Sequence, residues 1–462
     1  MRRGIIILCL IAGAALVVFL LARGIGRPAL PNIVLVTLDT TRADHLGCYG
    51  YFRDTSPNLD AFADKSILFE NAISPMSHTL PTHCSILTGT YPVEHGIVTN
   101  NKEGDFVFRS TERMRSLAEL CRDQGYQTAA FVSGTSLKRY TGIDVGFDLF
   151  DQPETRQREG RRTVDRALEW LGETETGPFL LWVHFFDPHG PYTPLAPFTD
   201  YFRSEKNLER YLEERGVPKT IENPDGSIYD LARVNNNYDG EIRYMDFHFG
   251  RLIDALRGRP DWDDTAILVV GDHGEGMGQH DMINHGRSWD EQVRAPMMMR
   301  APGIAPRRVP GLVSVVDAVP TLIGLLDLDE GPLFGRFLAQ ATGEDALRDS
   351  GRTGPVLSLD VAKKGRRHRT TLTFDRWKYH RLEDREWTGA RHELYDLMND
   401  PHELRNIAGE RQDLIPEMER TLLEMLERQR VRGESLRAGA EEVEAVVDSV
   451  LAEELRALGY VD

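Results

Sequence analysis

Short apolar runs recur between helical segments along the first two thirds of this chain. They are Pro31-Asn-Ile-Val-Leu-Val-Thr-Leu-Asp39, Tyr126-Gln-Thr-Ala-Ala-Phe-Val132, Pro178-Phe-Leu-Leu-Trp-Val-His-Phe-Phe186 and Ala266-Ile-Leu-Val-Val-Gly271. Runs with no alternation predict strands buried on both faces, as in a parallel sheet. Residues 116–124, 163–171 and 238–257 predict helices, the last with Tyr244, Phe247, Leu252 and Leu256 at helical spacing. This alternation predicts an α/β domain over 30–330, a parallel-dominated sheet with helices on both faces. The polar stretch 198–235 interrupts it and predicts an insertion over the site. Beyond residue 331 short strands separated by basic turns predict a small antiparallel sheet over 331–412. Residues 413–462 follow as a helical tail carrying Leu422, Leu423, Met425 and Leu426 on one stripe.

The N-terminus adds a segment of another kind. After Met1-Arg2-Arg3, the 18 residues from Gly4 to Leu21 carry no charge. At about 1.5 Å rise per residue they just span a hydrocarbon core. The alternative is a cleaved signal peptide and secretion, but Leu20-Leu21-Ala22-Arg23 is a poor small-x-small cleavage site. Residues 1–24 therefore read as a signal anchor, with the rest of the chain outside the cytoplasmic membrane.

A net charge of −17 on 462 residues excludes nucleic acid as a main partner and disfavours an anionic membrane surface. An anionic substrate must be held by local metal, His or Arg groups. The four cysteines, Cys9, Cys48, Cys84 and Cys121, have no zinc-ribbon or CxxC spacing and form no disulfide framework.

The chemistry begins where the strands stop. Asp39 ends the first run, and Asp272-His273 follows the 266–271 run. Ligands of open α/β sheets sit at the carboxyl ends of strands, so these three side chains can meet and hold a divalent metal. Taken singly, Asp39 reads equally as a helix cap and Asp272 as a turn opener. A third segment is Ser77-His-Thr79-Leu-Pro81-Thr-His83-Cys84-Ser-Ile-Leu-Thr-Gly89. Pro81 and Gly89 bracket a short helix over 81–88 and place Thr79 just before its N-terminus, where the dipole favours negative charge. On this segment alone Thr79 reads first as an N-cap.

Together these segments resemble the sulfatases of the alkaline phosphatase superfamily. The matching stretches are Asn32 to Asp39 with Asp44-His-Leu-Gly-Cys-Tyr-Gly50, Ser85 to Gly96, Phe185-Phe-Asp-Pro-His-Gly-Pro-Tyr192, Gly271-Asp-His-Gly-Glu275, Val315 to Thr321, and Glu393-Leu-Tyr-Asp-Leu with Asp400-Pro. The resemblance implies a large α/β domain with a smaller C-terminal sheet. The departures decide the chemistry. Sulfatases carry Cys-x-Pro-x-Arg, whose Cys becomes formylglycine; here that position is Thr79, Pro81 is kept and His83 replaces the Arg. A threonine cannot become formylglycine, and Cys84 lies five residues further on, inside the helix. The family's Lys-x-His segment falls near Phe131 to Thr135 without Lys or His, its second Lys falls on His285, and the carboxylate beside Asp39 becomes Thr40.

What remains resembles the phosphodiesterase and phosphotransferase branch. The resemblance implies one metal site of Asp39, Thr79, Asp272 and His273, and a second of Asp187, His189 and His285. One or two zinc ions suit these ligands, with a single calcium as the alternative. His189 or His285 would assist the leaving group where not a ligand. The expected function is a membrane-anchored, metal-dependent hydrolase or transferase of phosphate (di)esters, with Thr79 as nucleophile. Its substrate would be a small-molecule, lipid-headgroup or glycan ester. The alternatives are a sulfate-ester hydrolase using Thr79 directly and an inactive ligand-binding protein of the same fold.

Overall fold

The computed structural model describes residues 30–438 apart from 101–106, 175–176, 204, 223–225, 327, 329–353, 362–366 and 385–386. The anchor segment 1–24, the boundary at 331 and the end of the tail lie outside the described residues. Among the described residues no helix is long and apolar enough to cross a membrane.

The apolar runs form the strands they predict. In chain order these are β1 (Asn32–Leu38), β2 (Ile67–Ile73), β3 (Gln127–Phe131), β4 (Leu149–Asp151) and β5 (Phe179–Phe185). A hairpin of β6 (Thr220–Glu222) and β7 (Ile228–Asp230) follows, then β8 (Thr265–Gly271), the short β9 (Gly276–Met277) and β10 (Ile283–Asn284), β11 (Arg294–Arg300) and β12 (Arg307–Ser314). The main sheet has the order β12-β2-β11-β8-β1-β5-β3-β4. All of its pairings are parallel except those of β11, which runs antiparallel to both β2 and β8. Pro296 lacks an N–H, and the register of β11 slips between Ala295 and Met297 to accommodate it.

The run in β1 is continuous because both faces of the strand are covered. Ile33 and Leu35 join one apolar layer, with Trp182, Leu268 and Cys84. Val34, Val36 and Leu38 join the other, with Val183, Val269 and Phe249. The helix predicted over 238–257 begins earlier, spanning Leu231–Arg257, because Asp230 caps it by accepting the Arg233 N–H at 3.2 Å. The 198–235 insertion holds the helix Lys206–Glu214 and the β6–β7 hairpin.

The second sheet is antiparallel, in the order β13 (Val356–Val361), β14 (Arg367–Phe374), β15 (Trp377–Asp384) and β16 (Arg391–Asp396). The helix Ile415–Arg437 packs on it: Met418, Leu422 and Leu426 share a core with Leu357, Leu372, Tyr379 and Leu394. Leu359 bridges in parallel to Met76, and Ser358 Oγ donates to the Ser74 carbonyl at 2.7 Å. β13 therefore runs beside the segment that leads into Thr79.

Candidate active site

Register alone brings the two strand-end carboxylates together. β1 and β8 are neighbours with Leu38 opposite Gly271, so Asp39 and Asp272 emerge side by side. Backbone bonds continue past the strands: Asp39 N donates to Phe185 O at 3.0 Å and Asp272 N to Leu38 O at 3.2 Å. Asp39, Asp272 and His273 are fully buried, and one ligand atom from each lies within 4.8 Å of the others. Gly274 is required next, because a Cβ there would stand 2.2 Å from the Glu291 carbonyl.

Thr79 approaches from a helix. The helix spans Thr79–Thr88 and ends at Gly89 with φ 64°, so it starts two residues earlier than Pro81 suggests and Thr79 is its first residue. One exposed N–H of that first turn is already used: Leu80 N donates to Asn100 Oδ1 at 2.8 Å. His83, one turn on, places Nδ1 2.8 Å from the Thr79 carbonyl and 3.6 Å from Asp272 Oδ2.

The donor set fits a cation. Asp39 Oδ1, Asp272 Oδ2, His273 Nε2 and Thr79 Oγ1 are all buried and make no hydrogen bond among the described residues. Buried polar atoms without partners are costly; three on one ligand-spaced cluster, with the Thr79 hydroxyl on the helix whose His83 reaches Asp272, fit a bound cation. Burial alone would raise Asp39, but the His184 hydrogen bond and the nearby imidazoles hold its carboxyl below the usual range. Burial and the Asp39 charge push Asp272 up, while burial and His285 keep His273 neutral, the state in which imidazole binds metal. A divalent ion would relieve the repulsion between the two carboxylates. Oxygen and nitrogen donors suit several divalent metals, zinc and calcium among them.

Three imidazoles are anchored alike, each through Nδ1. His273 Nδ1 bonds the Gly274 carbonyl at 2.8 Å, His189 Nδ1 the Gly190 carbonyl at 2.9 Å, and His285 Nδ1 the Glu275 carboxylate at 3.1 Å. His285 lies between the other two, with ring centroids 4.6 Å from His273 and 5.3 Å from His189. His189 also stacks on Phe186 at 4.3 Å. Of these three, His285 stands where the resemblance would place the second cationic lysine.

Asp187 does not join His189 and His285 as the second metal set requires. Its Oδ2 accepts the Gly160 N–H at 2.8 Å, at the start of the helix Gly160–Glu173. Burial, only partly offset by that bond, pushes this carboxyl up to about 6. Among the described residues, the one His/Asp/Glu/Cys group within ligand spacing is Asp39, Asp272 and His273.

Sequence reading passed over His184, whose Nε2 lies 3.3 Å from Asp39 Oδ2 and whose ring is 5.0 Å from that of His83. The available signal was a lone imidazole inside an aromatic and aliphatic strand next to the one that ends at Asp39. Thr40 was also undervalued. Its backbone takes φ 49°, rare for a β-branched residue, and its N–H thereby reaches Asp272 Oδ1 at 3.0 Å.

Residues 31–328 match the family model Sulfatase. An ulvan-active sulfatase from Formosa agariphila is 26% identical over 338 residues, covering 65% of this chain and 63% of that one. The chain thus spans under two thirds of that relative's length. The candidate sulfatase YidJ from Bacteroides fragilis superposes with a TM-score of 0.73 at 21% identity, covering 89% of this chain and 98% of its own. A phosphonate monoester hydrolase of Agrobacterium radiobacter does so with a TM-score of 0.66 at 22% identity, covering 87% and 96%. The fold, the strand-end set of candidate metal ligands and the family match agree: this chain belongs to the sulfatase family, in the alkaline phosphatase superfamily.

Proposed function

We propose that this chain is a metal-dependent phosphoester hydrolase or phosphotransferase that uses Thr79 as its nucleophile. The observation that carries the reading is the Thr79 hydroxyl. It is a buried oxygen with no hydrogen bond among the described residues, at the first residue of a helix whose His83 bonds the Thr79 carbonyl and lies 3.6 Å from Asp272, in the position that formylglycine occupies in sulfatases.

A divalent ion held by Asp39, Asp272, His273 and Thr79 would lower the pKa of the hydroxyl and offset charge on the transferred group. The chain's own residues supply the rest. Asp272 is aligned by the Thr40 and His273 amides, which donate to its Oδ1 at 3.0 and 2.6 Å. His83 is pushed down to about 3 by burial, so it is neutral, with its proton on Nδ1 facing the Thr79 carbonyl. Thr79 Oγ, its hydroxyl proton released, forms the new bond to phosphorus as the bond from phosphorus to the alcohol breaks. His189 or His285, with Nδ1–H already donated to Gly190 or Glu275, gives that alcohol its proton from Nε2 when the ring is doubly protonated. Water or an acceptor alcohol then attacks the phospho-threonine and releases Thr79.

Sulfate esters fit less well. A sulfo-threonine would need attack by water at sulfur, with no aldehyde hydrate to expel sulfate by elimination. From the sequence of residues 1–24 the reading also includes anchoring in the cytoplasmic membrane, with the catalytic part outside. The decisive assay compares matched aryl phosphate, aryl phosphodiester and aryl sulfate with zinc, manganese and calcium. The reading expects a phosphoester to win; an aryl sulfate ahead by about tenfold in kcat/KM, about 1.4 kcal/mol of transition-state preference, overturns it.

A further inference from the structure

One basic element beside the site is used by nothing described so far. Arg287 follows His285 by two residues, and the intervening Gly286 is pinned to the segment before the nucleophile: its N–H donates to Ser77 Oγ at 3.1 Å. Arg287 Nη1 contacts both Asp360 oxygens at 3.2 Å, from β13 of the C-terminal sheet. The carboxylate is 3% exposed, whereas the guanidinium side chain is 39% exposed. Among the described residues Nε and Nη2 make no hydrogen bond, so one edge of the fork is fixed by Asp360 and another faces outward.

A second guanidinium stands behind it. Register places Arg369 of β14 directly opposite Asp360. Arg369 stacks over Trp289, two residues beyond Arg287, at 4.3 Å, and its Nη1 is buried with no hydrogen bond among the described residues. Two guanidiniums thus flank the Asp360 carboxylate; Arg369 is also paired with Glu393 at 3.5 Å and is held within the sheet, whereas Arg287 keeps an exposed edge. A planar fork with a free edge pairs bidentately with carboxylate, sulfate or phosphate oxygens. A purely structural ion pair would not need the exposed edge of Arg287.

We propose that Arg287 is a specificity-determining residue that binds an anionic oxyacid group on the part of the ester that is not transferred, so that preferred substrates carry a second negative charge. This rests on the ester-cleaving reading of the site. It gives the local cationic contact that the global charge withholds.

The test measures binding to a Thr79→Ala protein, which holds an ester without turning it over. The probes are 4-carboxyphenyl phosphate and its uncharged 4-carbamoylphenyl counterpart, and the corresponding pair of sulfates, by calorimetry. The carboxylated member should bind about tenfold tighter, the preference should vanish on adding Arg287→Ala, and the carbamoyl ester should keep its Kd. Arg287→Lys should retain part of the preference. Equal binding within each pair, or an equal loss for both members in Arg287→Ala, overturns the proposal. If the preference persists while the wild type cleaves neither ester class, the catalytic reading fails and the anion site stands.

Discussion

His83 donates from Nδ1 to the carbonyl oxygen of Thr79 at 2.8 Å, tying the side chain that replaces the sulfatase arginine to the backbone of the residue that replaces the formylglycine. That contact fixes the first turn of the helix and with it the direction of the Thr79 hydroxyl. Thr79→Ala should lower kcat/KM by at least about a thousandfold with an unchanged fold, since the nucleophile itself is removed. Cys84 is 1% exposed on the same helix, and burial pushes its thiol up, away from the reactive thiolate. Cys84→Ala should keep activity within about threefold and cost about 1 kcal/mol of stability through lost packing. Steady-state kinetics with thermal unfolding checks both; an inactive, well-folded Cys84→Ala would reverse the assignment.

Asp187 and His285 should separate cleanly. Asn at 187 can still accept the Gly160 N–H, so Asp187→Asn should keep activity and metal content within about threefold. His285→Ala removes an imidazole from the catalytic face and should cost about a hundredfold, the usual scale of general-acid catalysis. Kinetics and metal analysis on both variants decide; a metal-depleted Asp187→Asn would restore the two-site arrangement.

Thr40 occupies the place of a family carboxylate, and its Oγ1 is buried without a hydrogen bond among the described residues. Thr40→Asp would put a charged oxygen there, on a left-handed backbone that Asp tolerates better than a β-branched residue. Calcium, which takes more oxygen ligands, should gain affinity relative to zinc. Titration calorimetry with each metal tests this, and unchanged calcium binding would remove Thr40 from the coordination sphere.

Glu241 offers a test of the loop that carries His189. It is buried, and its Oε1 accepts the Thr193 N–H at 2.6 Å. Burial and the Asp187 charge push its carboxyl from 4.5 up to about 9. Between those values the folded state binds more protons than the unfolded one, so stability falls as pH rises through this window. The wild type should therefore lose stability relative to Glu241→Gln between about pH 5 and 9, with no further loss above. Urea unfolding of both proteins across that range measures it; a constant difference would mean that Glu241 is ionised in the fold.

Much of this was legible in the sequence because a parallel strand buried on both faces leaves an unbroken apolar run, and the residue that ends the run marks the functional edge. Asp39, Asp272 and His273 were found that way. Thr79 needed the family alignment, since an N-cap and a nucleophile look alike in one segment. His184 was missed because a buried strand histidine resembles core, and only the β1–β5 pairing shows that it reaches Asp39. Asp187 was misjudged because sequence gives the spacing Asp-Pro-His but not the direction of the carboxylate, which the Gly160 amide sets. The Arg287–Asp360 contact joins residues 73 positions apart, one in the loop after β10 and one on β13, beyond any local pattern.

The most direct measurement is to quench the enzyme with acid during turnover of an aryl phosphodiester and map the modified peptide by mass spectrometry. The phosphoryl group should sit on Thr79, within the peptide spanning His78 to Gly89, and be absent from Thr79→Ala. A phosphoryl group on another residue, or an oxidised Cys84 with Thr79 untouched, would contradict the assignment of Thr79 as the nucleophile.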